Sequence, residues 1–147
     1  ITYQIPMIIL LTLIFQKKVV FRAFSIYIIL GLFIFPVFHQ GGSIGYLLTP
    51  NFGYLLGLYP LIKIIDNLNK INKINVGNFL KNGFIAIGAM HLTGIFYNFL
   101  QIIFYSQFNL FLYNLGKYSL GKIGYHFLML FPLLLLIKPI ERLKRGK

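Results

Sequence analysis

The chain contains no cysteine and only two carboxylates among its 147 residues. Without cysteine, a disulfide framework and thiolate metal sites are excluded. The two carboxylates, Asp66 and Glu141, both stand close to basic residues in the sequence. No pair of acids is therefore available for proton relay or acid–base catalysis within an apolar segment.

Other features of catalytic chains are also missing. The three histidines are 52 and 35 residues apart, so they form no i, i+4 pair of the kind that binds a metal on a helix. No Walker-type phosphate loop is present, no acid follows His91 by five residues, and serine occurs at four isolated positions. The sequence predicts neither an enzyme nor a bound cofactor or metal.

Hydrophobic residues make up 58% of the chain and charged residues 11%, with a mean hydropathy of +0.78. A soluble domain of this size needs far more polar surface, so we expect residues 1–147 to form a single integral membrane domain. The net charge of +12 comes from short clusters between apolar runs. Because these clusters do not form one basic face, nucleic acid is not the expected partner.

Five apolar segments predict an all-α, polytopic membrane helix bundle with about five transmembrane helices. They are residues 1–15, 19–38, 44–65, 83–105 and 123–137. In the third, Pro50 favours a helix start near Asn51 or Gly53. Residues 66–81 predict a loop that can include a short amphipathic turn, and residues 106–122 are of mixed character.

The cations predict the orientation in the cell membrane. If the five segments alternate sides, 12 of the 14 Lys and Arg residues fall on one side and only Lys117 and Lys122 on the other. The positive-inside rule then places the C terminus in the cytoplasm. Because the chain begins with Ile1 rather than Met, we expect that it is N-terminally truncated and that a sixth helix precedes it.

Polar residues form a stripe on the segment of residues 83–105. His91, Gly94, Asn98 and Gln101 are separated by 3, 4 and 3 residues, which puts them on one face of a helix. Such a stripe is either a helix-packing face, in which small and hydrogen-bonding residues join neighbouring helices, or one wall of a polar cavity.

The glycine-rich stretch of residues 41–57 leads into the third segment. Gly53 and Gly57 form a Gly-x-x-x-Gly pair, which most often indicates close helix packing. Beside Pro50 and Asn51 at a helix N-terminus, it can also provide backbone N–H groups for a ligand oxygen. Four aromatic residues near the outer interface suit membrane anchors better than ligand contacts. They are His39, His126, Tyr3 and Tyr125.

The stretch "TPNFGYLLG" resembles the Gly-Pro-Thr-Gly-Gly-Tyr-Leu-x-Gly signature of the BioY family, the biotin-binding S components of energy-coupling factor transporters. Pro50, Gly53, Tyr54, Leu55 and Gly57 match the signature, whereas Thr49, Asn51 and Phe52 differ from it. Two further stretches, "ITYQIPMIILLTLI" and "YIILGLFIFPVFHQGG", are similar to the family's sequence before this signature.

The resemblance implies a six-helix bundle, its first helix absent here, that captures biotin or a related small vitamin outside the cell. It also implies partners, namely a membrane coupling protein and an ATPase pair. The family's Gly-Asp-x-x-Lys motif in the last helix is not matched. Alignment on Lys138 puts Leu135 at the acid position, and alignment from the C terminus puts Tyr125 or His126 there.

The glycine-rich stretch is then expected to be an outer loop over a helix N-terminus, where small side chains let a flat ligand touch backbone. The candidate substrate-binding residues are Asn51, Gly53, Tyr54, His91, Asn98 and His126. The alternative functions are an S component for another vitamin and a structural or regulatory membrane subunit without a ligand, in which the stripe and the glycines only pack helices.

Overall fold

The computed structural model describes residues 3–38, 41–71, 74–105 and 108–145. Within these ranges almost every residue is helical, and the β structure is limited to an isolated bridge between Phe38 and Gly41. The predicted all-α class is confirmed. The helices are α1 (Gln4–Ile14), α2 (Lys17–Phe33), α3 (Pro50–Leu56), α4 (Leu58–Ile65), α5 (Val76–Tyr105), α6 (Phe108–Asn114), α7 (Gly121–Leu128) and α8 (Leu130–Arg145). Two 3₁₀ turns, Ile44–Leu48 and Asp66–Lys70, and a π-helical segment, Leu115–Leu120, connect them.

The central element is α5, which packs against both α3 and α4. It begins at Val76, seven residues before the predicted start at residue 83, so the predicted loop of residues 66–81 is wrong from Val76 onward. The cause is Asn75, whose Oδ1 accepts a hydrogen bond of 2.6 Å from the Asn78 N–H. Asparagine in this position caps the first turn of a helix. A helix can therefore start here although the residues of its first turn are polar.

The C-terminal part of the chain differs most from the predicted segments. Residues 108–128, mixed in sequence, form α6, the π segment and α7, and the predicted last span of residues 123–137 is broken at Met129. Pro132 explains the break, because proline has no N–H and its ring collides with the carbonyl four residues earlier. Beyond the break, α8 continues to Arg145 through Pro139.

Helix lengths bear on the number of membrane crossings. In the part of the chain that the structure describes, one helix, Val76–Ile103, is by itself long and apolar enough to cross a bilayer. The pair Phe108–Leu128 and Leu130–Leu143, bent by 41°, makes a second crossing if it is counted as one span. The 11 residues of α1 reach only about 16 Å of the roughly 30 Å of hydrocarbon. The count of about five crossings stays a prediction.

The outside of the bundle is apolar. Large aliphatic side chains stand outward on several helices, with Leu92 68%, Ile103 69%, Leu120 69% and Leu135 80% exposed. The interior holds a contiguous apolar core in which Leu61, Ile62 and Ile87 are fully buried. An exterior of this kind matches a lipid environment rather than water.

The two ends of the bundle differ in charge. At one end, Lys17 Nζ lies 3.7 Å from Asp66 Oδ2, and the Ile74 N–H donates to Glu141 Oε1 at 2.6 Å. These contacts join three parts of the chain that carry most of its Lys and Arg residues, namely residues 17–22, 66–81 and 138–147. We call this end the basic end. The opposite end, with the 3₁₀ turn Ile44–Leu48, is the glycine end. Which of them faces the cytoplasm stays a prediction.

Three glycines allow α3 and α4 to approach α5 closely. A Cβ added at Gly57 would lie 2.5 Å from the Met90 carbonyl oxygen, and one at Gly53 would overlap the Tyr97 side chain. From the other side, a Cβ at Gly94 would overlap the Tyr54 ring. The Gly53 and Gly57 pair therefore serves helix packing, the more frequent of the two meanings that the sequence left open.

Candidate functional site

A cavity of about 90 Å³ lies at the glycine end, between the 3₁₀ turn, α1, α3 and α7. Tyr46 from the turn and Phe38 before it cover one side of this cavity. Its polar lining consists of Gln4, Asn51, Tyr54, Tyr118, Lys122 and His126. The rest of its wall is apolar, so it combines a mostly hydrophobic surface with a few polar groups, as small-molecule sites do.

The 3₁₀ turn Ile44–Leu48 is held over this end by α5. Three side chains of α5 donate hydrogen bonds to backbone carbonyls of the turn and of the residues that follow it. Tyr97 donates to the Leu47 carbonyl, Gln101 to the Leu48 carbonyl at 2.9 Å and Asn98 to the Pro50 carbonyl at 3.4 Å. These bonds fix the position of Tyr46 above the cavity.

Behind the cavity, four side chains form a continuous hydrogen-bonded chain. The Tyr54 hydroxyl lies 2.8 Å from Ser119 Oγ, and Ser119 Oγ lies 3.1 Å from His91 Nδ1. His91 Nε2 lies 2.9 Å from His126 Nδ1. Ser119, His91 and His126 are buried, so breaking one of these bonds leaves polar atoms without water to replace it.

This chain has two possible directions. If His91 Nε2 donates to His126, then Ser119 donates to His91 Nδ1, Tyr54 donates to Ser119, and His126 keeps an N–H at Nε2. In the opposite direction, His126 Nδ1 donates to His91 Nε2, His91 Nδ1 donates to Ser119, and Ser119 donates to the Tyr54 oxygen. The Tyr54 hydroxyl proton is then free, and His126 Nε2 is an acceptor. Because Tyr54 and His126 both line the cavity, each direction gives the cavity one free donor and one free acceptor.

The charge near the cavity is positive. Lys122 lines the cavity and lies 5.0 Å from the centre of the Tyr118 ring, and Lys117 lies 5.3 Å from the same ring on a neighbouring turn. The chain's two carboxylates, Asp66 and Glu141, make their contacts at the basic end. Lys122 therefore has no carboxylate beside it in this site, and an anionic group is the matching ligand chemistry.

The predicted site residues fall into three positions. Asn51, Tyr54 and His126 line the cavity, and His91 lies directly behind it through its bond to His126. Gly53 and Asn98 belong instead to the contact between α3 and α5, where Asn98 donates to the carbonyls of Gly94 and Pro50. The polar stripe of α5 is thus a packing face at Gly94 and Asn98 and supports the cavity at His91.

Two sequence interpretations of the last helices can be compared with the structure. Of the residues placed at the acid position of the family motif, Leu135 is 80% exposed and Tyr125 is 39% exposed, whereas His126 is 8% exposed and lines the cavity. His126 is thus a cavity residue rather than an interface anchor. Tyr3 is 71% exposed, in agreement with an anchor, and His39 lies outside the described residues.

Gly42 packs against backbone of the protein and does not line the cavity. A Cβ at Gly42 would lie 2.5 Å from the Gly31 carbonyl oxygen and 2.7 Å from the Phe35 carbonyl oxygen. Gly41 and Ser43 have φ of 117° and 121°, a backbone conformation that glycine adopts at little cost. Glycine here lets the chain fold back on the end of α2, which differs from the expected role of exposing backbone to a ligand.

Sequence reasoning missed four polar residues of this site. Ser119 is an isolated serine in a mixed segment, Tyr118 and Gln4 carry no motif, and Lys122 was counted only as a topological cation. The one available signal was that Lys117 and Lys122 are the two cations on the side opposite to the other 12. Within the described residues, no group of three or more His, Asp or Glu residues is placed to hold a metal ion.

A family model described as the BioY family matches residues 1–132. No curated protein and no solved structure matches the chain.

Proposed function

Because the chain belongs to the BioY family, whose members are membrane-embedded S components of energy-coupling factor transporters, we propose that it captures biotin from outside the cell. The observation that carries the choice of ligand is the cavity at the glycine end, with Lys122, Tyr54 and His126 in its wall. The family consists of transporter subunits rather than enzymes, which agrees with the lack of acid pairs in the sequence.

The chemistry of the cavity suits the two ends of biotin. Biotin carries a carboxylate at one end and a cyclic urea, with two N–H donors and one carbonyl acceptor, at the other. Lys122 supplies a cation for the carboxylate. The free donor and free acceptor of Tyr54 and His126, together with the Asn51 amide, supply neutral partners for the urea.

The size of the cavity indicates that the 3₁₀ turn has to move. Sites for small molecules usually measure roughly 300–1,000 Å³, whereas this cavity measures about 90 Å³. The bonds from Tyr97, Gln101 and Asn98 hold the turn in its closed position. We therefore describe the structure as a closed form in which ligand entry requires the turn to shift away from α5.

Transport needs partners. The sequence contains no nucleotide-binding loop, so energy for release into the cell has to come from an ATPase pair acting through a membrane coupling protein. Such partners are expected for an S component, and their identity is part of the proposal.

The direct test is isothermal titration of the purified protein with biotin, with thiamine as the control vitamin. We expect saturable binding of biotin and none of thiamine, because thiamine is a cation and Lys122 repels it. Absence of binding at micromolar biotin contradicts biotin as the ligand. Binding of thiamine in its place contradicts the charge assignment of the cavity.

The small cavity also favours a second candidate, a structural or regulatory membrane subunit without a ligand. Tyr54→Phe separates the two, because it removes the hydroxyl but keeps the ring that packs on Gly94. Under the transport proposal, this variant folds and assembles normally but loses most biotin uptake in a biotin-requiring host. Under the second candidate, the variant instead changes the assembly or expression of the protein.

A further inference from the structure

An apolar groove of about 360 Å³ runs between α1 and α2 and shares Gln4 and Leu58 with the wall of the cavity described above. Met7, Leu11 and Phe15 follow one another at four-residue spacing along one wall, and Val19 and Ala23 of α2 form the other. The far end is closed by a bond of 3.0 Å from Gln4 Nε2 to the Tyr27 hydroxyl. The groove is therefore open along its side and blocked at the glycine end.

The length of the groove matches one leaflet of a bilayer. From Gln4 to Phe15 it spans 11 residues, or about 16 Å at roughly 1.5 Å per residue. This is about half of the roughly 30 Å thickness of the hydrocarbon core. A partner helix that crosses the membrane would extend well beyond such a groove, whereas an acyl chain of one leaflet fits its length.

A polar cleft of about 460 Å³ adjoins the groove at the basic end. Phe15 belongs to the walls of both, and Lys17, Lys18, Asp66 and Asn69 line the cleft. Lys17 Nζ is 3.7 Å from Asp66 Oδ2, while Asn69 Nδ2 donates to the Thr12 carbonyl at 2.7 Å. Two lysines against one aspartate leave the cleft with a net positive charge directly at the mouth of the groove.

We propose that the groove and the cleft together bind one anionic phospholipid of the bilayer. Its phosphate lies at Lys18 and Lys17, and one acyl chain lies along Met7, Leu11 and Ala23. Basic pockets between membrane helices on the cytoplasmic side bind anionic head groups in this way. The site is separate from Lys122 and His126, so the proposal does not depend on biotin being the substrate.

Native mass spectrometry of the whole chain in mild detergent tests whether the cleft binds an anionic head group. The protein is titrated with phosphatidylglycerol and with phosphatidylcholine carrying the same acyl chains, and we expect one phosphatidylglycerol to bind more tightly. Lys18→Gln weakens its binding roughly fivefold, corresponding to about 1 kcal/mol for one cation at an anionic lipid. Lys81→Gln, an exposed lysine outside the cleft, leaves binding unchanged.

A second pair of variants tests whether an acyl chain lies in the groove. Ala23→Phe fills the groove and lowers the binding of both lipids, whereas Ile26→Phe, on the exposed side of α2, does not. Monodisperse elution on size exclusion checks that both variants fold. A photo-crosslinking residue at Val19 reports the occupant directly, and we expect lipid adducts.

Three outcomes overturn the proposal. The first is equal phosphatidylglycerol binding by Lys18→Gln and Lys81→Gln. The second is equal lipid binding by Ala23→Phe and Ile26→Phe. The third is crosslinking from Val19 to a second copy of the chain or to another polypeptide in place of lipid.

Discussion

His91 and His126 face each other through a single hydrogen bond, with His91 Nε2 2.9 Å from His126 Nδ1. Only one proton fits between these two nitrogens. His91 Nε2 and His126 Nδ1 therefore cannot both be protonated. The bond couples α5 to α7, and Ser119 extends it to Tyr54 on α3. One polar chain therefore joins α3, α5, α7 and the π-helical segment that carries Ser119.

Ser119→Ala is expected to destabilise the protein. It removes the hydroxyl between Tyr54 and His91 and leaves buried polar atoms unpaired, which costs about 1–3 kcal/mol. The control is Ser43→Ala, at an exposed position, for which we expect less than about 0.5 kcal/mol. Thermal unfolding in detergent measures both, and equal transition temperatures would contradict the role of Ser119.

Gly94→Ala is expected to lower both stability and biotin binding. The added methyl group overlaps the Tyr54 ring, so the ring has to move out of the cavity wall. Gly88→Ala on the same helix is a matched control, since nothing lies within 4 Å of a Cβ there. Because alanine favours a helix by roughly 0.5–1 kcal/mol over glycine, Gly88→Ala should be neutral or stabilising. Similar behaviour of the two variants would show that the close packing is not needed.

Lys122→Gln is expected to weaken biotin binding by at least about tenfold, because a hydrogen bond to a charged group contributes roughly 1.5–3 kcal/mol. Lys117→Gln is the control, since Lys117 lies over Tyr113 and Tyr118 but does not line the cavity. Biotin methyl ester, which lacks the carboxylate charge, makes the test specific. The wild type should prefer biotin to the ester, and Lys122→Gln should not. A preference that survives in Lys122→Gln would place the carboxylate elsewhere.

Gln101→Ala is expected to loosen the 3₁₀ turn Ile44–Leu48. It removes one of the bonds that hold the turn, worth about 0.5–1.5 kcal/mol, so amide hydrogen exchange in the turn should rise roughly two- to tenfold. Thr93→Ala is the control, because Thr93 Oγ1 donates to the Ala89 carbonyl of its own helix and not to the turn. Unchanged exchange in Gln101→Ala would mean that the turn is held by other contacts.

The orientation can be tested without a ligand. A cysteine in place of Ser43, at the glycine end, should react with a membrane-impermeant thiol reagent in intact cells. A cysteine in place of Asn67, at the basic end, should react only after the membrane is opened. Both positions are exposed, and the chain has no other cysteine. The reverse pattern would invert the topology and place the cavity toward the cytoplasm.

The sequence predicted features that depend on local chemistry. The all-α class follows from composition. The start of α3 at Pro50 lies one residue before the predicted start near Asn51, and it follows from the restriction that proline places on the preceding residue. The close approach at Gly57 follows from a glycine pair at four-residue spacing. Asn75 could have marked the start of α5, since asparagine is a preferred N-cap residue. A prediction from apolar runs alone misses the polar first turn of such a helix.

The rest depends on contacts between distant parts of the chain. Tyr54 and Ser119 are 65 residues apart, and His91 and His126 are 35 apart. Which face of α7 points inward decides whether His126 is a cavity residue or an anchor, and this depends on its contact with His91, which lies 35 residues earlier in the chain. Lys122 was missed for a related reason, because the positive-inside rule accounts for every lysine without reference to a cavity.

The π-helical segment Leu115–Leu120 sets the rotational phase of everything that follows it. A π turn holds one residue more than an α-helical turn does, and one residue corresponds to about 100° of rotation around the helix axis. If the same six residues formed a regular α-helix, α7 would therefore turn by about a quarter of a revolution relative to α6. His126 would then face away from His91, and Lys122 would leave the cavity with it. The π geometry thus keeps Lys122 and His126 in phase with α6 although the segment holds one residue more than a regular α-helix would need.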